Sequence, residues 1–286
     1  MITDRFSAYN ADTVDVARML PADSIDFSIF SPPFASLYTY SNSPRDMGNV
    51  RSHAEFFEHF GFLIAEQMRV MKPGRLVSVH CMLLPTTLAH DGVIGLTDFR
   101  GEIIRAYQKA GFVYHSEVCI WKDPVTAMQR THAKGLLYKQ LRSDSSWSRQ
   151  GIPDYVCTFR KPGVNPELIA HDANDYPVER WQRIASPIWT DIDPSDTLQY
   201  RSAREHDDEK HICPLQLEVI RRCIELWSNR NDVVWSPFMG IGSEGYVALK
   251  EGRRFIGAEL KESYFKQAVA NLTEAENVEQ TSLFGT

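Results

Sequence analysis

The sequence predicts an α/β protein: an open, doubly wound, mostly parallel sheet with helices packed on its faces. Three observations predict it. The first 120 residues alternate helical and strand patterns, as βα units do. The alternation resumes at Cys213 and runs to about Leu272, with a glycine-rich turn between strand and helix. Between Asp123 and Tyr200 it fails, in a stretch rich in Ser, Asp, Pro, Arg and aromatic residues. The predicted organisation is a first half over 1–122, an inserted region over 123–204 and a second half over 205–286. A length of 286 residues suits one enlarged domain.

Taken in order, an extended start leads to a helix from Thr13 to Leu20, with Asp12 placed as its N-cap. Asp26-Phe27-Ser28-Ile29-Phe30 is an apolar run that reads as a short buried strand, ended by Pro32 and Pro33. A polar, aromatic loop through Tyr38 and Tyr40 follows, long enough to serve as a lid or binding loop. Residues 53–71 carry an apolar stripe of Phe56, Phe57, Phe60, Leu63 and Ile64, the mark of an amphipathic helix. Lys72-Pro73-Gly74-Arg75 stops it before the strand Leu76–Val79. Residues 97–110 form the next helix, Gly111 ends it, and Phe112–Trp121 alternates like a strand or hairpin. Pro214 suits the first turn of a helix faced by Leu215, Val219, Cys223, Leu226 and Trp227. Val233-Val234-Trp235 is a buried strand and Phe255–Glu259 another, with a glycine-rich turn and a helix between them. A last helix spans about Ser263 to Leu272, and the tail from Glu274 is expected to fray.

Composition narrows the function. Hydrophobic content of 43% and charged content of 24% are ordinary for a soluble globular chain. No apolar run approaches the roughly 20 residues of a membrane helix, and the amino terminus lacks the layout of a signal peptide. The 5 cysteines are odd in number, widely spaced and never in a Cys-x-x-Cys pair. They point to a reducing cytoplasm and away from a disulfide framework or a metal site. Net charge is −6, yet the window Trp121–Lys161 holds eight basic residues (Arg130, Lys134, Lys139, Arg142 and Arg149 among them) against three acids. A basic segment at +5 within an otherwise acidic chain is a nucleic-acid footprint that the average conceals.

Two stretches carry chemistry. Ser31-Pro32-Pro33-Phe34 forms a stiff loop at a strand's carboxyl end, with a hydroxyl, carbonyl acceptors and an aromatic face. Such a loop suits a planar ring bearing an amino group, stacked on Phe34 with its N–H donors on oxygens. The second stretch is Ser236-Pro237-Phe238-Met239-Gly240-Ile241-Gly242-Ser243, followed on the next strand by Glu259. Strand, glycine turn, helix and acidic strand end make an adenosine-cofactor site. The G-x-G-x-x-G pyrophosphate pattern is not met, because the third glycine comes early at Gly245. That favours S-adenosylmethionine over a dinucleotide.

Together these stretches resemble the DNA amino-methyltransferases acting on N4 of cytosine or N6 of adenine. The catalytic tetrapeptide precedes the cofactor turn, which is the circularly permuted, beta-class order. The resemblance implies a Rossmann-like S-adenosylmethionine-dependent methyltransferase fold whose insertion, here the aperiodic basic segment, recognises the target. It implies that Phe238, Met239, Gly240, Gly242 and Ser243 cradle the methionine part of the cofactor, Glu259 holds the ribose and Asp12 reaches the adenine amino group. His211 and Pro214 fall in a further cofactor-contacting segment. Ser236 departs from the family's usual aspartate. Serine before Pro-Pro points to N4 of cytosine ahead of N6 of adenine. The expected function is site-specific methylation of a flipped base in double-stranded DNA, as in restriction-modification. An RNA methyltransferase and a catalytically silent nucleic-acid-binding protein are the alternatives. The oligomeric state, a homodimer included, stays open.

Overall fold

In the computed structural model the described residues are 1–33, 47, 52–125, 138–171, 176–199 and 214–284. Ten strands are described: β1 Phe6–Tyr9, β2 Ile25–Phe30, β3 Met71–Met82, β4 Leu84–Thr86, β5 Gly95–Thr97, β6 Val113–Ile120, β7 Asp154–Arg160, β8 Ile188–Trp189, β9 Val233–Ser236 and β10 Arg254–Ala258. Eight of them form one sheet in the order β1-β10-β9-β2-β3-β7-β6-β8, and β4 and β5 form a separate hairpin. From β1 to β3 all neighbours are parallel, while β7 runs antiparallel to both β3 and β6.

All six residues of β2 are buried, as a parallel strand covered on both faces requires. On one face the helices Thr13–Met19, His53–Val70 and Phe99–Lys109 bring Ala17, Phe56, Phe60 and Tyr107 onto Val77, Val79 and Phe159. On the other, Leu217–Trp227, Ser243–Lys250 and Glu262–Phe284 bring Val219, Ile224, Val247 and Leu272 onto Phe27, Ile29, Val234 and Phe255. The sheet is doubly wound, with its core in two layers.

The connection β2→β3 runs through the helix His53–Val70 on one face, and β9→β10 through Ser243–Lys250 on the other. Because β2 and β9 are paired neighbours, the chain leaves their carboxyl ends in opposite directions. That is a topological switch point, where open α/β sheets form their binding crevice. Phe238 packs on Phe30 there, at 5.7 Å between ring centroids, joining the two predicted stretches.

Several expectations are corrected. Within the window 123–204, where no period was legible, β7 lies in the sheet between β3 and β6, and β8 lies at its edge. Trp189, one of the aromatic residues of that window, is 1% exposed, with the Arg222 guanidinium over its ring. Lys72-Pro73-Gly74 does not separate helix from strand, since β3 already pairs at Met71 and breaks register before Leu76. Pro214 precedes the helix N-cap, Gln216, and so is not in the first turn. The last helix continues to Phe284 instead of fraying after Glu274. Among the described residues no helix is long and apolar enough to cross a membrane.

Candidate active site

The strand β2 ends at Phe30, and Ser31-Pro32-Pro33 follows at its carboxyl end with Pro32 buried. The Ser31 hydroxyl faces the strand beside it: its Oγ lies 2.9 Å from Nδ1 of His80 on β3. The other ring nitrogen, Nε2, lies 3.0 Å from Oδ2 of Asp154 on β7. Lys122, just past β6, makes an ion pair with the same carboxylate oxygen. Burial would push the Asp154 carboxyl up, but His80 and Lys122 hold it below the ordinary carboxylate range. Phe34, Tyr38 and Tyr40 lie outside the described residues.

The glycine turn sits one strand away. Gly240 and Gly242 adopt φ of +51° and +86°, left-handed values that favour glycine. A Cβ on Gly240 would meet no atom within 4 Å, so the turn borders open space. Gly242 lies against the backbone of Ala268 and caps the helix Ser243–Lys250. Ser243, its first residue, is buried. Glu259, just past β10, accepts the Gly240 N–H at 3.0 Å and the Lys261 N–H at 2.8 Å. Its carboxylate is therefore fixed at the switch point. Asn10 donates to the carbonyls of Glu259 and Leu260, drawing the segment after β1 beside that acid. Asp12 fills its N-cap role there, its Oδ1 accepting from Val14 and Asp15.

Not every predicted site residue sits this way. The Met239 side chain is 1% exposed within the core, so a direct contact with cofactor is left to its backbone. Ser236 is buried, and its Oγ has no hydrogen-bond partner among the described residues. His211 lies outside the described residues, as do Arg130 and Lys134. Lys139 is exposed on the short helical segment Tyr138–Leu141, Arg142 is exposed in the turn after it, and Arg149 is half-buried. Lys122, Arg160 and Lys161, counted in the basic window, are engaged within the fold: Arg160 bonds the Gly163 carbonyl and Lys161 pairs with Asp23.

Sequence reasoning missed His80, Asp154 and Lys122. The available signal was polar residues within buried runs at even spacing: Ser78 and His80 two apart on β3, and Asp154 and Thr158 four apart on β7, each pair on one face of its strand. Ser78 and Thr158 meet at 2.9 Å between hydroxyls.

Glu244 was also missed. It is buried beside the turn, and burial, reinforced by the Glu259 charge and opposed by its own amide, pushes its carboxyl up to about 8. The folded chain thus keeps a proton that the unfolded chain loses above 4.5, so stability falls as pH rises between those values. At about 1.4 kcal/mol per unit, the ceiling is roughly 4–5 kcal/mol. Glu244→Gln is expected to flatten this decline and to be the more stable form at pH 8.5, measured by urea unfolding across pH.

Fold and site set the two motifs on the neighbouring strands β2 and β9, in permuted order. The comparisons place the chain more closely. The family model for N6/N4 DNA methylases, described as DNA methylase, matches residues 25–270. The chain belongs to that family. It is 37% identical over 288 aligned positions to the type II methyltransferase M.Cfr9I of Citrobacter freundii, covering 92% of this chain and 86% of that one. Among solved structures it resembles the cytosine-N4-specific PvuII DNA methyltransferase, with TM-score 0.67, 18% identity, and 99% and 94% of the two chains covered. It also resembles TTHA0409 of Thermus thermophilus complexed with S-adenosyl-L-methionine, with TM-score 0.68, 21% identity, and 95% and 96% covered. At these identities the structural likeness is one of fold. The chain spans 66% and 55% of the length of two further type II methyltransferases, M.BglII of Bacillus subtilis and M.BamHI of Bacillus amyloliquefaciens.

Proposed function

We propose that this protein transfers a methyl group from S-adenosylmethionine to an exocyclic amino group of a base flipped out of double-stranded DNA. N4 of cytosine is preferred over N6 of adenine. The observation that carries the reading is the pairing of β2 with β9, which sets Ser31-Pro32-Pro33 and the Phe238–Ser243 turn side by side at the switch point. Family membership and a type II relative at 37% identity support DNA as the substrate. The preference for cytosine rests on the serine before Pro-Pro and on the likeness to a cytosine-N4-specific enzyme.

The residues present fit the cofactor. Open space beyond Gly240 admits a ligand against the turn, and Glu259 is a fixed acceptor for a ribose diol. Phe238, Gly240, Gly242 and Ser243 would hold the methionine part, and Asp12, brought near by Asn10, would reach the adenine. When bound, S-adenosylmethionine supplies an electrophilic methyl group on a sulfonium.

The chain's own part is to prepare the amine. An exocyclic amino nitrogen delocalises its lone pair into the ring. Ser31 Oγ and the Pro32 carbonyl, accepting its two N–H bonds, would let that pair localise and would stabilise the positive charge that develops. Serine alone is too weak a base to deprotonate the amine beforehand. The base must first leave the helix, at a few kcal/mol, and Phe34 would stack on it. Residues of the 123–153 stretch, Lys139, Arg142 and Arg149 among them, would meet phosphate and recognise the target.

The test is side-by-side transfer of tritiated methyl groups to duplex DNA and to RNA of the same sequence. Label on DNA at least tenfold above RNA is expected. Preferential labelling of RNA would favour the RNA methyltransferase, and no transfer to either would favour a silent binding protein.

A further inference from the structure

Ser31, His80 and Asp154 form a hydrogen-bonded series across three strands, with distances of 2.9 and 3.0 Å and Lys122 behind the last member. Its polarity follows from chemistry. An ionised carboxylate only accepts, so the Asp154–His80 bond places the proton of a neutral imidazole on Nε2. Nδ1 is then the acceptor, and the Ser31 hydroxyl donates to it. Ser31's remaining oxygen lone pairs face away from His80 and are ready for an incoming N–H.

A serine–histidine–aspartate series also occurs in acyl-transfer enzymes, whose serine is a nucleophile. Here the residue after the serine is Pro32 and the next is Pro33. Neither has an N–H, so the usual oxyanion donor following a nucleophile is missing. The arrangement serves an acceptor, not a nucleophile.

We infer that His80 is the positioning residue and proton acceptor behind Ser31, taking through the serine hydroxyl the proton that the methylated amino group sheds. This rests on the proposed amino-methyl transfer. As the new N–C bond forms from the nitrogen lone pair, the S–CH3 bond of the sulfonium would break with its electron pair left on sulfur, and nitrogen carries one N–H too many. That proton passes to Ser31 Oγ while the Ser31 proton passes to His80 Nδ1, and the N–H electron pair stays on nitrogen. Serine ends as it began, and the charge rests on an imidazolium facing Asp154. Lys122 keeps Asp154 ionised, so the proton stops at His80. Charge reaches His80 from β7 through Asp154 and from beyond β6 through Lys122, and Ser31 faces it from the end of β2. His80 is 8% exposed, which keeps bulk water from doing the same work without direction.

The test uses the full chain and the His80→Asn variant, whose amide oxygen takes the place of Nδ1 as acceptor for the Ser31 hydroxyl but takes no proton. Single-turnover methylation is expected to fall roughly 100-fold or more, the range for positioned proton transfer. Dissociation constants for DNA and cofactor should stay within about twofold, and the acid limb of the wild-type rate profile should vanish. A rate within threefold of wild type, or an unchanged acid limb, overturns the inference. Two readouts serve if His80→Asn folds poorly. Long-range proton–nitrogen NMR of the unliganded wild type should show His80 protonated on Nε2, and an Nδ1–H tautomer overturns the assignment. Lys122→Met removes a nearby cation and should move the acid limb to higher pH, and an unmoved limb overturns it. A wild-type protein that methylates nothing defeats the proposed function itself, which separates the two failures.

Discussion

Ser31→Ala is expected to lower single-turnover methyl transfer roughly 100- to 1,000-fold, the scale for losing one preorganised group at a developing charge. Affinity for DNA and for S-adenosylmethionine should change by less than about twofold. The asymmetry follows from when the contact matters. A neutral amino group gains little from one more acceptor, whereas a nitrogen acquiring positive charge gains much. Alanine leaves Pro32 buried and β2 intact, so the fold should hold, with a melting temperature close to wild type. If Ser31 merely finishes a strand, the variant will melt earlier and its residual activity will follow the folded fraction. Melting temperature, DNA affinity and single-turnover rate measured on one preparation separate the two.

Arg75→Ala is expected to cost about 3–5 kcal/mol of stability, the range for breaking a buried ion pair from one side. Arg75 is 0% exposed at the amino ends of the strands, opposite the active site. Its Nη1 lies 2.9 Å from Asp232 and its Nη2 3.5 Å from both Asp26 and Glu167. Lys72 adds a contact to Asp26 at 2.6 Å. Both aspartates are committed to backbone, Asp26 accepting from Val233 and Asp232 from Asn229. Without the guanidinium, two buried carboxylates would face one another. Asp232 is already pushed up, by burial first and then by Asp26. The loss should therefore be largest near neutral pH and shrink as pH falls and a carboxyl takes up a proton. Urea unfolding at pH 7.5 and pH 5 measures this. A loss below about 1 kcal/mol at both would show that the network is dispensable.

What the sequence made legible was local. Six consecutive buried residues ended by Pro-Pro announce β2, and glycines at positive φ after a short apolar strand announce the turn. The stripe Phe56, Phe57, Phe60, Leu63 and Ile64 announces the helix His53–Val70, and all but the half-buried Phe57 are buried. What stayed hidden depends on distant partners. β7 reads as part of a basic, irregular window because its burial comes only from pairing with β3 and β6. His80 and Asp154 are 74 residues apart, and no local pattern brings them together. Trp189 falls in the same window, and its burial under Arg222 and in the core comes from residues distant in sequence. The basic window was overcounted for the same reason, since a lysine in an ion pair and a lysine in solvent look alike in sequence.

The most direct measurement is mass spectrometry of nucleosides from duplex DNA incubated with the protein and deuterated-methyl S-adenosylmethionine. An exocyclic amino product is predicted, N4-methylcytosine ahead of N6-methyladenine, carrying the deuterium label and reduced roughly 100-fold or more with Ser31→Ala. Label on carbon 5 of cytosine, or no labelled nucleoside from a folded protein that binds both cofactor and DNA, would contradict it.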